Sequence, residues 1–160
     1  MPNHPESQVI EMTAPSKDML RQAADAFWES FPPFWHRVRA HTREVAAEQF
    51  GMTFEQFQIL RHVRKGCGSV SDLAEARNIS RPAISQTVEL LVQKGLIARS
   101  PDAQDRRHVQ LDLTAQGNTL LDAIFEDTRR WMMGVLSALD GDELRALTAT
   151  METLKKTVHA

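Results

Sequence analysis

The chain of 160 residues is 42% hydrophobic and 25% charged, with a formal net charge of −2. This composition is typical of a soluble globular protein with one folded body, and no apolar run approaches the roughly 18 residues of a membrane-spanning helix. The first residues carry prolines and acids without a positive start or an apolar run, which argues against a secretory signal and favours a cytoplasmic location.

The N-terminal part of the chain predicts a tail followed by helical structure. Residues 1–15 contain three prolines and lack a periodic apolar face, so we expect a disordered tail. In residues 16–50 the apolar side chains recur at spacings of three and four, which predicts a helix. Because proline lacks an amide donor and clashes with the preceding turn, Pro32 and Pro33 predict a kink or a break at Phe31, with a second segment beginning at Pro33.

Two helices are predicted next. In "TFEQFQILRHVRK", Thr53 and Gln56 have the spacing of a capping box and precede an apolar stripe, which indicates a helix of about three turns. After the break at "GCGS", Ser69 or Ser71 can cap a short helix that continues through Ala76.

A longer helix follows the turn "RNIS". Ser80 has the position of its N-cap, Pro82 stands in its first turn, and Gly95 ends it after Lys94. The short and the long helix form a helix-turn-helix, and five apolar side chains are expected to fix them across each other: Leu73, Ala74, Ile79, Ile84 and Val88.

A hairpin follows the helix-turn-helix. "LIARS" reads as a short strand, and "HVQLDL" alternates, with Val109, Leu111 and Leu113 on one face. The linking "PDAQDRR" then joins two antiparallel strands. Helix-turn-helix and hairpin together predict a winged helix-turn-helix within a mainly α fold.

The C-terminal part predicts two more helices. Thr114 caps a long one that includes Trp131 in its core stripe, and Asp140 with Glu143 forms a second capping box. The last helix repeats apolar residues at spacings of 3, 4, 3 and 4, which is a seam for another helix: Leu144, Leu147, Met151, Leu154 and Val158.

Charge is unevenly distributed along the chain. Residues 1–60 contain 5 Lys/Arg and 8 Asp/Glu, residues 61–110 contain 9 and 5, and residues 111–160 contain 5 and 8, so the balances are −3, +4 and −3. The middle third, which holds the winged helix-turn-helix, is therefore the part suited to an anion such as DNA phosphate.

The helix that begins after Ser80 has an outer side suited to a major groove. Gln86 could pair with adenine, and Pro82 or Ala83 could touch a thymine methyl group. Four more side chains stand where phosphates would flank the groove: Ser80, Arg81, Ser85 and Thr87. A merely solvated polar face is the alternative for this helix alone.

Three stretches resemble the MarR family of bacterial transcription regulators: "MTFEQFQILRHV", "VSDLAEARNISRPAISQTVELLVQKGLIAR" and "DRRHVQLDLTAQG". They match the family's Leu-Thr-x-x-Gln-Phe opening, with Met52 in place of the usual leucine, and its Asp-x-Arg wing followed by Leu-Thr-x-x-Gly. The resemblance implies a homodimer in which N- and C-terminal helices interlock and two winged domains bind a pseudo-palindromic operator. It also implies that Arg107 enters a minor groove with Asp105 holding its guanidinium, and that Arg106 contacts phosphate.

On this basis the fold is expected to be mainly α, a winged helix-turn-helix with a small β-hairpin wing flanked by dimerisation helices. The chain divides into four parts: a disordered tail (1–15), N-terminal dimerisation helices (16–50), a DNA-binding domain (51–114) and C-terminal dimerisation helices (115–160).

The resemblance also implies a small aromatic or phenolic effector. A pocket between the dimer helices and the winged domain would be lined by Trp28, Phe31, Trp35, His36, Phe57, Arg61 and His62. Ordinary core packing and solvated polar residues are the alternative for each of them.

Other chemistry is weakly indicated. Cys67, the single cysteine, could sense peroxide because it stands between glycines near Lys65, but an incidental loop thiol is favoured. The histidines at 36, 41 and 62 lack a clear carboxylate or cysteine cluster, so we expect neither a metal nor a cofactor.

Three functions compete. The favoured one is a homodimeric, sequence-specific transcription regulator, a repressor released by a small-molecule signal. The alternative is a winged-helix protein-interaction module without specific DNA binding. An enzyme that uses His62 and Cys67 ranks last, because no orienting acid or oxyanion donor stands at a recognisable spacing, and we expect no enzymatic activity.

Overall fold

The computed structural model describes residues 14–101 and 109–158, which divide after Arg37 into two compact units. Six helices and two strands are formed by these residues: α1 (Lys17–Phe50), α2 (Phe54–Arg64), α3 (Val70–Arg77), α4 (Arg81–Gln93), β1 (Ile97–Pro101), β2 (Val109–Leu113), α5 (Ala115–Leu136) and α6 (Gly141–Val158). The mainly helical fold with a small hairpin is therefore confirmed. No described helix is both long enough and apolar enough to cross a membrane.

Of the kink or break predicted at Phe31, the break is wrong, because α1 continues through Pro32 and Pro33 as one helix, and the kink stays a prediction. Because proline has no amide hydrogen, each of the two removes one backbone hydrogen bond to the carbonyl four residues earlier. Those carbonyls belong to Trp28 and Glu29, which are both exposed, so water can hydrogen-bond to them. The cost of the two prolines is thereby reduced, and the segment expected to begin at Pro33 is not a separate helix.

Both predicted capping boxes are confirmed. At the start of α2 the Gln56 amide donates to Thr53 Oγ1 at 3.2 Å, and the Thr53 amide donates to Gln56 Oε1 at 3.1 Å. Before α6 the Glu143 amide donates to Asp140 Oδ1 and the Asp140 amide donates to Glu143 Oε2, each at 2.9 Å. Each box satisfies two helix-end amides, and so it fixes where the helix begins.

The helix-turn-helix packs as predicted. Ser69, rather than Ser71, caps α3 by accepting from the Asp72 amide at 3.1 Å. α3 ends at Arg77, and the φ of 51° at its C-cap, Asn78, lets the chain turn into α4. Of the five predicted core side chains, Ile79 is half-buried. The other four are buried: Leu73, Ala74, Ile84 and Val88.

The β2 strand joins the hairpin to the rest of the compact unit that begins at Val38. β1 and β2 are antiparallel, with Ile97 opposite Leu113 and Pro101 opposite Val109. The Leu111 amide also donates to the carbonyl of Gly68 at 2.7 Å. Leu111 is buried, but Val109 at the strand end is 52% exposed, so the predicted inner face is only partly buried.

The last helix buries no residue for which burial is described. Leu147 is half-buried, and three other members of the predicted seam are exposed: Leu144, Met151 and Leu154. The side chain of the fifth member, Val158, lies outside the described side chains. An amphipathic helix that packs so little within its own chain has an apolar face left to bury.

Candidate nucleic-acid interface

α4 has one buried face and one exposed face, as the sequence predicts. Ile84, Val88 and Leu91 are at most 1% exposed and fix the helix to the core. Of the seven residues expected to contact DNA, one is half-buried, Thr87, and six are exposed: Ser80, Arg81, Pro82, Ala83, Ser85 and Gln86. The exposed residues lie in the first two turns, which is the part of a recognition helix that reaches base edges.

Ser80 occupies the N-cap position of α4, but its side chain makes no capping hydrogen bond. The predicted cap is therefore correct in position and wrong in its contact. An N-cap oxygen normally accepts from the second or third helical amide. In α4 the second residue, Pro82, has no amide hydrogen, and Ser80 makes no capping bond to the third residue, Ala83. Among the residues that the structure describes, the hydroxyl of Ser80 has no hydrogen-bond partner, and it lies beside a helix end whose partial charge is positive.

The other polar side chains of this face differ in their availability. Within the described part of the chain, Arg81, Ser85 and Gln86 make no side-chain hydrogen bond or ion pair. The hydroxyl of Thr87 instead donates to the carbonyl of Ala83 at 3.1 Å. Arg81 and Gln86 are thus free to reach outward, while Thr87 is partly committed to its own helix.

The positive charge of the middle third is smaller at the surface than the sequence count implies. Several of its arginines pair with carboxylates, and two of those carboxylates, Glu55 and Asp122, come from outside this third. The pairs are Arg64–Asp122, Arg77–Glu55 at 2.9 Å and Arg99–Glu89 at 2.9 Å. Arg81 makes no such pair within the described ranges. Its positive charge is therefore not offset by a neighbouring carboxylate there, unlike the charges of Arg64, Arg77 and Arg99.

The predicted wing contacts, Asp105, Arg106 and Arg107, lie outside the described residues. What the structure gives is the base of the wing, where Pro101 and Val109 are register partners at the ends of β1 and β2. The roles assigned to the three wing residues stay predictions.

The residues of the predicted effector pocket belong to both compact units. In the unit that ends at Arg37, four of them are exposed: Trp28, Phe31, Trp35 and His36. In the unit from Val38 onward, Phe57 is 3% exposed, and its ring contacts that of Phe125 at 5.6 Å between centroids. Phe57 is therefore a core residue, and the pocket itself stays a prediction.

His62 is half-buried beside three cations. Burial lowers its pKa below the ordinary value of 6.5, and the charges of Arg77, Arg61 and Lys65 lower it further against the opposing effect of Glu55. The structure thus favours the neutral imidazole.

The thiol of Cys67 lies 4.0 Å from His62 Nδ1. This neighbour does not distinguish a peroxide-sensing thiol from the favoured incidental loop thiol, so the latter stays a prediction. In the described ranges, no three His, Cys, Asp or Glu side chains are placed to hold a metal ion.

His41 has a structural role between α1 and α5. Its Nε2 lies 3.1 Å from Asp127 Oδ1, and its ring stacks on Trp131 at 5.0 Å between centroids. Next to this pair, Thr42 and Thr128 share a hydrogen bond of 3.3 Å. Trp131, predicted as core, is half-buried and covers the histidine.

Sequence reasoning did not single out Leu90, which is 49% exposed on the outer side of α4. A helical projection places it on the same side as Gln86, four residues earlier. The adjacent Leu91, in contrast, is fully buried.

Residues 50–108 match the sequence model described as the MarR family. A relative from Bacillus subtilis (strain 168), the HTH-type transcriptional repressor MdtR, is 32% identical over 98 residues, which are 61% of this chain. That match spans 63% of the length of MdtR, less than two thirds of the relative.

Solved structures share the fold. The transcriptional regulator Tm0710 from Thermotoga maritima superposes with a TM-score of 0.73 at 21% identity, covering 84% of this chain and 95% of that one. A mutant of MepR from S. aureus, solved bound to an oligodeoxyribonucleotide, gives a TM-score of 0.61 at 24% identity, with 82% and 97% coverage.

Proposed function

We propose that this chain is a member of the MarR family and acts as a homodimeric, sequence-specific DNA-binding transcription regulator. The observation that carries the proposal is the exposed N-terminal face of α4, where Arg81 and Gln86 make no side-chain bond to any described residue and the helix end has no side-chain cap. Polar groups that are free at a helix N-terminus suit phosphate and base edges.

In this proposal α4 enters the major groove. Gln86 pairs with an adenine edge, and Pro82 or Ala83 meets a thymine methyl group. Ser80, Arg81 and the first amides of α4 face the phosphates that border the groove. The MepR mutant was solved with DNA, and this chain shares its fold.

The wing completes the proposed DNA contact. Arg107 enters the adjacent minor groove. A narrow minor groove has an enhanced negative potential, which attracts the guanidinium. Asp105 orients that guanidinium, and Arg106 contacts a phosphate. Pairing of Pro101 with Val109 fixes the base from which these residues extend.

A second copy of the chain is the proposed partner of the apolar surfaces. In the N-terminal unit, the rings of Phe27, Phe31 and Trp35 stack at 4.9 and 6.4 Å between centroids while each is at least 40% exposed. Separately, α6 exposes part of its apolar seam. Large exposed apolar faces mark interaction sites in soluble proteins, and two-fold dimers bind half-sites of a pseudo-palindromic operator.

We further propose that the protein is a repressor that a small aromatic or phenolic molecule releases from DNA. The relative MdtR is described as a repressor, which supports the first part. A thermal-shift screen with aromatic carboxylates, zinc and peroxide tests the second part, since a ligand that binds the folded state raises the melting temperature.

The decisive experiment is a fluorescence anisotropy titration of the full chain against the DNA upstream of its own gene at several salt concentrations. Tight, sequence-dependent binding with a steep loss of affinity at high salt is expected. Weak binding that is equal on all sequences would instead favour the competing function, a winged-helix protein-interaction module. Sedimentation of the free protein checks the dimer independently.

A further inference from the structure

Leu90 is an apolar exception on the outer side of α4. In α4, all of which the structure describes, it is the one large apolar side chain that is exposed, at 49%. The buried side is complete without it, since Ile84, Val88 and Leu91 are each at most 1% exposed. Leu90 therefore contributes to the outer surface of the helix rather than to the core.

The position of Leu90 places it beside the proposed reading residues. Residues four apart lie one turn from each other on the same helix face, so Leu90 stands directly beyond Gln86. Ala83 lies on the same side near the start of the helix. The stripe formed by Ala83, Gln86 and Leu90 is apolar at both ends and polar in its middle.

The charge next to this stripe is neutralised. Glu89, the acidic residue adjacent to Leu90, pairs with Arg99 of β1 at 2.9 Å. An unpaired carboxylate there would repel the phosphates of an approaching duplex. With Glu89 engaged by Arg99, the apolar surface of Leu90 can approach DNA without that repulsion.

The thymine C5 methyl group is the apolar feature that the base edges present in the major groove. We propose that Leu90 is a specificity-determining residue that packs on the methyl group of one operator thymine; this inference rests on the proposed function. Four residues of α-helix rise about 6 Å, and successive bases on one strand are spaced about 3.4 Å apart. The thymine therefore lies within about two base-pair steps of the base that Gln86 contacts.

The test begins by selecting preferred duplexes for the full chain from a randomised library. Each thymine of the selected duplex is then replaced singly by deoxyuridine, which removes the methyl group and keeps base pairing. At one thymine of each half-site, within about two base-pair steps of the base that Gln86 contacts, the wild-type protein should lose affinity about 4-fold, the loss expected for one buried methyl group. A thymine contacted by Pro82 or Ala83 should keep its methyl dependence in Leu90→Ala. Leu90→Ala should bind the thymine duplex more weakly and show no further loss on the uracil duplex.

Two further variants separate this contact from general effects. Met133→Ala removes a side chain that is 64% exposed on α5 and should keep the full sensitivity to deoxyuridine. Leu90→Met preserves an apolar side chain and should retain most of the sensitivity.

Either of two outcomes would overturn the inference: no position at which wild-type affinity depends on the methyl group, or a dependence in Leu90→Ala that is unchanged at every methyl-sensitive position. If no sequence is selected from the library at all, the proposed function fails first, and the inference fails with it.

Discussion

Gly117 lies so close to Leu96 that a Cβ on the glycine would stand 2.2 Å from the Leu96 carbonyl oxygen. The same carbonyl accepts from the Thr114 amide at 3.1 Å, and Thr114 Oγ1 donates to the carbonyl of Gly95 at 2.7 Å. The end of "LTAQG" is therefore a close backbone crossing that joins the start of α5 to the chain entering β1. Only a residue without a side chain fits the position of Gly117.

Gly117→Ala should lower the free energy of unfolding by about 1–3 kcal/mol, since the new methyl group meets a backbone carbonyl that other bonds hold in place. Chemical denaturation of the purified variant measures this loss. Gly134→Ala on the same helix is the matched control, because nothing lies within 4 Å of its added Cβ. It should stabilise by up to about 1 kcal/mol. Equal effects of the two variants would contradict the close crossing.

Alanine substitutions at the N-caps Thr114 and Ser80 should have opposite effects on stability and on DNA binding. Thr114 accepts from the Gly117 amide at 3.0 Å, so Thr114→Ala should cost about 1 kcal/mol of stability. Ser80 makes no capping bond, so Ser80→Ala should cost less than about 0.5 kcal/mol and weaken DNA binding instead. Denaturation and DNA titration of both variants check this separation. A large stability loss in Ser80→Ala would show that its hydroxyl is a cap after all.

The pKa of His62 makes stability depend on pH. Because the folded state holds this pKa below 6.5, the unfolded chain takes up the proton first as the pH falls. The contribution of His62 to stability is therefore complete above pH 6.5 and declines from there to the lowered pKa of the folded state.

Melting temperatures of the wild type and of His62→Gln, measured between about pH 5 and pH 8, isolate this dependence. The difference between the two proteins should shift in favour of the variant as the pH falls. A difference that stays constant over this range would contradict the lowered pKa.

Local features of this fold were predictable, and features that depend on distant residues were not. Thr53 and Gln56 form their capping box within one turn, so spacing alone predicts it. Arg77 pairs with Glu55, 22 residues away, and no local pattern announces that the arginine is neutralised.

The predicted break in α1 failed for a similar reason, because the cost of a proline depends on whether water reaches the freed carbonyls. In the candidate site, periodicity predicted the two faces of α4, but it did not predict that the Ser80 hydroxyl makes no capping bond.

The wing provides a test of the family resemblance. Arg107→Ala should weaken DNA binding at least 10-fold while leaving the melting temperature nearly unchanged, since a groove contact contributes to binding and not to the core. Arg107→Lys keeps the charge but loses the planar guanidinium, so it should recover only part of the affinity. A strongly lowered melting temperature in Arg107→Ala would mean that this arginine stabilises the fold instead.

Arg81 should act differently from Arg107, because a phosphate contact carries no sequence information. Arg81→Ala should weaken binding by a similar factor on specific and on unrelated duplexes, and the slope of log affinity against log salt should fall by about 1 per half-site. Arg129→Ala is the matched control, because it changes the net charge by the same amount as Arg81→Ala. Arg129 is exposed on α5 and pairs with Glu126. If both variants reduced the slope alike, overall charge would explain the binding. If only Arg81→Ala does so, the N-terminal end of α4 is the part that meets the DNA backbone.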